Sequence, residues 1–175
     1  LLILLKLFLI MLTIGDKSPE FSLEGVLDNK VTKYSLNQVS KKLWKILFFY
    51  PADFSFICPT ELKSFRDHFE QITDCVLWAI SVDDIETHKK WISELGGLPF
   101  PLLSDVEGEI AKRYGALGID KKANRATFII DPEGIIQACT IVSANIGRSV
   151  EETIRSLKAL QTGSLCPANW KPEKY

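Results

Sequence analysis

In the stretch FFYPADFSFICPTEL, Phe48 to Leu62, the residue with the most chemistry available to it is Cys58, set immediately before Pro59 where the apolar pattern changes to helical spacing. Proline is tolerated in the first turn of a helix because its missing N–H would have no partner there anyway, so Cys58 is expected at or next to the N-cap. Its sulfur then meets the positive end of the helix, where free N–H groups favour thiolate over thiol. The thiolate is a nucleophile. Pro51 and Ser55 precede it in the pattern P-x-x-x-S-x-x-C. A rigid proline can shield the sulfur from bulk water, and a hydroxyl three positions upstream can hydrogen-bond to a small oxygen-bearing substrate. Tyr50, Phe54 and Phe56 are expected to keep the pocket apolar. A lone cysteine is more often packing than chemistry; the Cys-Pro helix entry and the upstream hydroxyl reverse that preference.

The elements that must hold this loop flank it. WKILFFY, residues 44 to 50, reads as a strand covered on both faces. After Cys58, Leu62, Phe65, Phe69 and Ile72 fall at helical spacing and predict an amphipathic helix. VLWAISVDD, 76 to 84, predicts a second buried strand, and Ile85, His88, Ile92 and Leu95 a helix stopped by Gly96-Gly97. FSLEGV and KVTKYSL around Asp28-Asn29 predict an early hairpin. PFPLLSD is strand-like, and a short helix from Glu107 to Tyr114 follows, with Asp105 as a cap. RATFIID and GIIQACTIV, joined through Gly134, predict antiparallel strands. Val150, Ile154, Leu157 and Leu160 predict a last helix, opened by a Ser149/Glu152 capping box. The order β-α-β-α-β-α-β-β-α predicts an α/β, thioredoxin-like fold: a mixed central sheet flanked by helices, with an N-terminal β-hairpin extension.

The chain has 175 residues, 46% of them hydrophobic and 25% charged, with a formal net charge of -1. That length suits a single domain with a sizeable core. The near-neutral, dispersed charge argues against nucleic acid as a partner, since phosphate binding wants a concentrated basic surface. The opening run LLILLKLFLIML is too short to span a bilayer, so no membrane association is expected. Nor does the run have the flanks of a secretory signal. Residues 1–12 are therefore expected to be an apolar extension outside the native fold, followed by a domain over 13–162 and a tail over 163–175. The four cysteines, Cys58, Cys75, Cys139 and Cys166, include no C-x-x-C pair. Without a secretion signal a reducing, cytoplasmic setting is the default.

The loop FFYPADFSFICPTEL resembles the active-site loop of the peroxiredoxins, and LCPANW, Leu165 to Trp170, resembles the resolving-cysteine segment of their typical two-cysteine branch, which includes the alkyl hydroperoxide reductase C proteins. RATFIIDPEG and IGRSVEE lie between them, so the likeness runs from about Thr13 to Trp170. It implies a thiol-dependent peroxidase in which Cys58 attacks the peroxide and Pro51 and Ser55 complete the loop. Arg125 would hold thiolate and peroxide, and Glu61 and Arg148 would be the outer members of an Arg-Glu-Arg network. Ser55 departs from the family's usual threonine: the hydroxyl survives, the stiffening methyl does not. Cys166 would condense with the Cys58 sulfenic acid across a homodimer, itself a possible unit of a decameric ring. Thioredoxin or a flavoprotein disulfide reductase would recycle the disulfide. In peroxide-sensitive relatives a Gly-Gly-Leu-Gly segment and a C-terminal Tyr-Phe helix slow the required unfolding. GGLPF and the final PEKY here imply comparative resistance to overoxidation.

Two rival functions remain open. A thiol-disulfide oxidoreductase shares the fold but needs a second cysteine three residues on, where this chain has Glu61. A holdase-like oligomer is the non-enzymatic alternative. Cys75 and Cys139 are expected to be packing residues, His68 and His88 satisfied core-edge histidines, and Trp91 and Trp170 contributors to a subunit or tail contact. No Cys/His cluster suggests zinc, and no metal or cofactor is expected.

Overall fold

The structure is a computed structural model that describes residues 12–172. The expected extension lies almost wholly outside these residues; its last member, Leu12, packs against the second of two hydrophobic clusters. One seven-stranded sheet runs in the order β2-β1-β5-β4-β3-β6-β7. Its strands are β1 (Ser22–Leu27), β2 (Lys30–Ser35), β3 (Trp44–Phe49), β4 (Cys75–Ser81), β5 (Leu102–Ser104), β6 (Arg125–Ile130) and β7 (Ile136–Val142). The helices are α1 (Cys58–Asp67), α2 (Ile85–Glu94), α3 (Glu109–Arg113) and α4 (Val150–Gln161). Strands β3, β4 and β5 are parallel; the β1–β2, β1–β5, β3–β6 and β6–β7 pairs are antiparallel. This is the predicted mixed sheet of thioredoxin-like type, with β1 and β2 as the added hairpin. The hairpin turns at Asp28 and Asn29, with φ of 49° and 61°, the double left-handed corner that matches strand twist.

Strand β3 shows why a nearly continuous apolar run belongs in the middle of the sheet. Ile46 and Phe48 enter one cluster with α1, α2 and α4, while Leu47 and Phe49 enter the other with α3 and Tyr114. Lys45, the one charge in the run, is also buried; its Nζ donates to the carbonyls of Asp131 at 2.9 Å and Pro132 at 3.0 Å, tying down the turn between β6 and β7. Among the described residues no helix is long and apolar enough to cross a membrane.

Three elements depart from their expected form. Helix α1 stops at Asp67, and Phe69–Gln71 form a separate 3-10 turn after His68, whose φ of -113° leaves the helical region. Ile72 is still buried because that turn keeps the chain on the same face. Strand β4 ends at Ser81, since Asp83 and Asp84 serve the loop and the next helix; Asp84 accepts the Thr87 N–H as the cap of α2. The capping box of α4 is half formed: Ser149 Oγ accepts the Glu152 N–H at 3.1 Å, but the Glu152 carboxylate pairs with Arg155 at 2.6 Å instead of turning back. Asp105 caps α3 as expected, accepting from Ile110 N at 3.1 Å and Ala111 N at 2.8 Å.

Sheet continuity rests on Gly25, where β1 meets β5. A Cβ there would overlap Leu103 Cδ2 and lie 2.9 Å from the Leu102 carbonyl oxygen. Gly25→Val should therefore destabilise the protein by about 1–3 kcal/mol, the usual cost of overpacking. Urea unfolding should show a lower midpoint, and an unchanged midpoint would mean that β1 is free to move off β5.

Candidate active site

Strand β3 delivers the chain to the site at its C-terminal end. Tyr50 N–H continues the ladder to Ile80 O at 3.0 Å; then Pro51 ends the pairing and the loop to α1 begins. Ile57 is the N-cap of α1 and gives no side-chain cap, so Cys58 is the first helical residue and Pro59 the second. The first turn is held by four contacts: Thr60 N to Ile57 O at 3.0 Å, Thr60 Oγ1 to the same carbonyl at 2.6 Å, Glu61 N to Ile57 O at 3.4 Å, and Cys58 N to Ser55 Oγ at 3.4 Å. The last two are near the outer limit of a hydrogen bond. Cys58 is fully buried.

Against the sulfur stands Arg125, the first residue of β6. Its Nη1 lies 3.3 Å from Cys58 Sγ and donates to Glu61 Oε2 at 2.6 Å, while Nε donates to Ala144 O at 2.8 Å. Glu61 sits one turn after Cys58 on α1 and receives a second guanidinium. Arg148 donates from Nε to Oε1 at 2.9 Å and from Nη2 to Oε2 at 3.1 Å, a bidentate fork, and its backbone N–H adds a bond to Oε1 at 2.8 Å. Arg148 Nη1 donates to the carbonyls of Phe49 and Ala126, both at 2.8 Å, and its guanidinium carbon lies 3.5 Å from the Phe48 ring centre. Burial pulls the Arg148 guanidinium below its ordinary range, and Glu61 opposes that shift. Gly147 lets this segment approach, since a Cβ there would stand 3.3 Å from Ile57 Cγ2.

The structure thus brings Cys58, Ser55, Glu61, Arg125 and Arg148 together. Glu61 and both arginines are buried, with side-chain exposures of 2–3%, so they are not surface ion pairs. Pro51 is half-buried at the start of the loop. Cys166 lies after α4 beyond Gly163, half-buried, with its sulfur 3.6 Å from Thr162 Oγ1. Both Cys58 and Cys166 are free thiols in this structure. Cys75 and Cys139 are half-buried against the core, and burial pushes the Cys75 thiol up to about 12.

Three expectations about the surroundings need correction. Phe56 is 94% exposed and Phe54 51%, so neither encloses the sulfur; Phe54 instead lies against Trp91, ring centres 4.7 Å apart. Trp91, expected at a subunit or tail contact, is covered within the chain's own core. His88 lies in the interior, not at the core edge, and its Nδ1 is 2.7 Å from Asp53 Oδ2 within the loop. Sequence reasoning did not single out Asp53, and it gave His88 and Trp91 other places. The available signals were an acid in an otherwise apolar loop, and His88 and Trp91 one turn apart on a helix whose inward face they share.

The position three residues after Cys58, where an oxidoreductase would need its second cysteine, is the fully engaged Glu61 carboxylate. Residues 14–139 match the AhpC/TSA family model. The chain is 46% identical to the chloroplastic 2-Cys peroxiredoxin BAS1 of Spinacia oleracea, over 91% of this chain and 65% of that longer protein. It is 38% identical to alkyl hydroperoxide reductase C of Mycolicibacterium smegmatis, over 92% of this chain and 91% of the relative. The reduced 2-Cys peroxiredoxin structure from Plasmodium vivax has a TM-score of 0.86 at 35% identity, covering 93% of this chain and 91% of that one. With a buried thiol under a guanidinium on this sheet, and with these likenesses along nearly its whole length, the chain belongs to the AhpC/TSA family and is a peroxiredoxin, a thiol-dependent peroxidase.

Proposed function

We propose that Cys58 is the attacking group. Its thiolate displaces one oxygen of a hydroperoxide: the S–O bond forms as the O–O bond breaks, leaving Cys58 sulfenic acid and releasing water or an alcohol once a proton is taken up. The observation that carries this reading is Arg125 Nη1 at 3.3 Å from Cys58 Sγ, with Glu61 holding the same nitrogen at 2.6 Å. A guanidinium cannot give up its proton under ordinary conditions, so it stabilises both the thiolate and the negative charge that develops on the departing oxygen. Ser55 would donate its hydroxyl to the bound peroxide while accepting from Cys58 N–H. Pro51 would limit water at the mouth of the loop. Glu61 and Arg148 keep the fork aimed at the sulfur.

The second half-reaction needs another thiol. Cys166 of a second copy would attack the sulfenic sulfur, expelling water and forming an intersubunit disulfide in a homodimer, which itself could assemble into a decameric ring. A disulfide requires Cα atoms about 4.4–6.8 Å apart, so the first turn of α1 must open before the bond forms. The long contacts at that turn and the absence of a side-chain cap support such an opening. A dithiol donor, thioredoxin or a flavoprotein disulfide reductase, would then restore both thiols. On this reading residues 13–162 are the peroxidase domain and the segment from 163 carries the resolving cysteine, in an antioxidant enzyme of the cytoplasm.

Stopped-flow assay of the reduced protein tests the assignment. Cys58→Ser should abolish peroxide reduction. Cys166→Ser should leave one rapid reduction per subunit and no recycling, with the dimer band on non-reducing gels absent from both variants. Full turnover by Cys58→Ser would refute it. At pH 8 a thiol held near 12 is ionised to only about one part in ten thousand, so iodoacetamide should label Cys58 long before Cys75. Equal labelling of the two in the folded protein would contradict that difference.

A further inference from the structure

The segment between Pro51 and Cys58 carries a strained corner. Phe54 has φ of 51°, a left-handed conformation that crowds the side chain against the following carbonyl oxygen. A bulky aromatic persists there only when its surroundings over-determine the backbone. The residue just before it, Asp53, is held from several elements at once. Its Oδ1 accepts the Tyr50 hydroxyl at 2.7 Å and its Oδ2 faces His88 Nδ1 at 2.7 Å, while its backbone N–H donates to Asp83 Oδ2 at 2.8 Å. The other His88 nitrogen faces Leu103 O at 3.2 Å, and Asp83 is itself fixed by Ser81 Oγ at 2.7 Å. Asp53 and His88 side chains have no exposed surface. Burial and the Asp53 charge push the Tyr50 hydroxyl well above its ordinary range, so it stays a donor.

We propose that Asp53 and His88 are a positioning pair for peroxide reduction: they dock the active-site loop onto α2, and so place Ser55 and Pro51 around the peroxide beside Cys58. Consecutive loop residues meet residues one helical turn apart, Asp53 on His88 and Phe54 on Trp91. The strained corner at Phe54 then turns the chain so that Ser55 Oγ reaches Cys58 N–H. The Cys58 sulfur has its own partner in Arg125, whose side chain bonds Glu61 and Ala144 O and not Asp53 or His88. The two tasks are therefore separable: the arginines prepare the sulfur, and the Asp53–His88 pair fixes the wall that orients the substrate. This inference rests on Cys58 being the attacking thiolate.

Asp53→Ala removes both acceptor oxygens, so the Tyr50 hydroxyl and His88 Nδ1 both lose their partner. Peroxide reduction by Asp53→Ala should slow about ten- to a hundredfold, as small misplacements of a reacting group do. Iodoacetamide alkylation of Cys58, which needs the thiolate but no peroxide pocket, should stay within about twofold of the unaltered protein. His88→Leu, of similar volume, should give the same split and serves as the second variant should Asp53→Ala fail to melt cooperatively. An unchanged peroxide rate in a folded single variant would overturn the proposal. So would an equal fall in both rates, because that is what general loss of the fold produces. Failure of the Cys58 assignment would show separately, as turnover surviving in Cys58→Ser.

Discussion

Two guanidiniums and one carboxylate, all with side-chain exposures of 2–3%, leave one positive charge unmatched at the end of the sheet unless the Cys58 sulfur is ionised. Unpaired charge in an interior is strongly unfavourable, and removing one partner from a buried pair typically costs about 3–5 kcal/mol. On the proposed assignment a Cys58 thiolate would complete the set: two positive groups and two negative groups, with Arg125 between the sulfur and Glu61. This demand for balance links the fold to the chemistry. On that proposal the reactive form of the cysteine is also the form that best suits its surroundings, an arrangement that needs every member in place.

The fold meets that demand with few elements. Cys58 and Glu61 stand one turn apart on α1, so the carboxylate necessarily lies beside the sulfur. Phe49 and Ala126 are register partners on β3 and β6, and Arg148 takes the carbonyl of each, which fastens it across the end of both strands. Arg125 begins β6 immediately beside them. Strand β3, covered on both faces, fixes where the loop departs, and α2 fixes where the loop lies. Two of the contacts at the first turn of α1 are 3.4 Å long, which suits the proposed need to shelter Cys58 for attack and release it for disulfide formation.

Much of this was legible in the sequence because the signals are local. The Cys-Pro helix entry, the serine three positions earlier, the apolar run of β3 and the Asn29 hairpin each depend on neighbours within a few residues. The roles of Glu61, Arg125 and Arg148 were reached through resemblance: helical spacing sets Glu61 beside Cys58, but no spacing rule joins that turn to Arg125 or Arg148 far along the chain. The Asp53–His88 contact was invisible for the same reason: periodicity turned His88 inward but could not say what it met. Phe54 in a left-handed conformation was also beyond reach, because tertiary contacts on Trp91 and Asp53 impose it against local preference. The end of α1 was misjudged because Phe69 and Ile72 keep helical spacing through a 3-10 turn.

The most direct test of the account removes the guanidinium that touches the sulfur. In Arg125→Met the long side chain remains while the charge and the 3.3 Å contact go. Stopped-flow loss of hydrogen peroxide by the reduced, folded variant at neutral pH should be slower by about a hundredfold or more, the usual effect of deleting a donor aimed at developing charge. A rate within about threefold of the unaltered protein would contradict the account, because the sulfur would then owe its reactivity to something other than that charge.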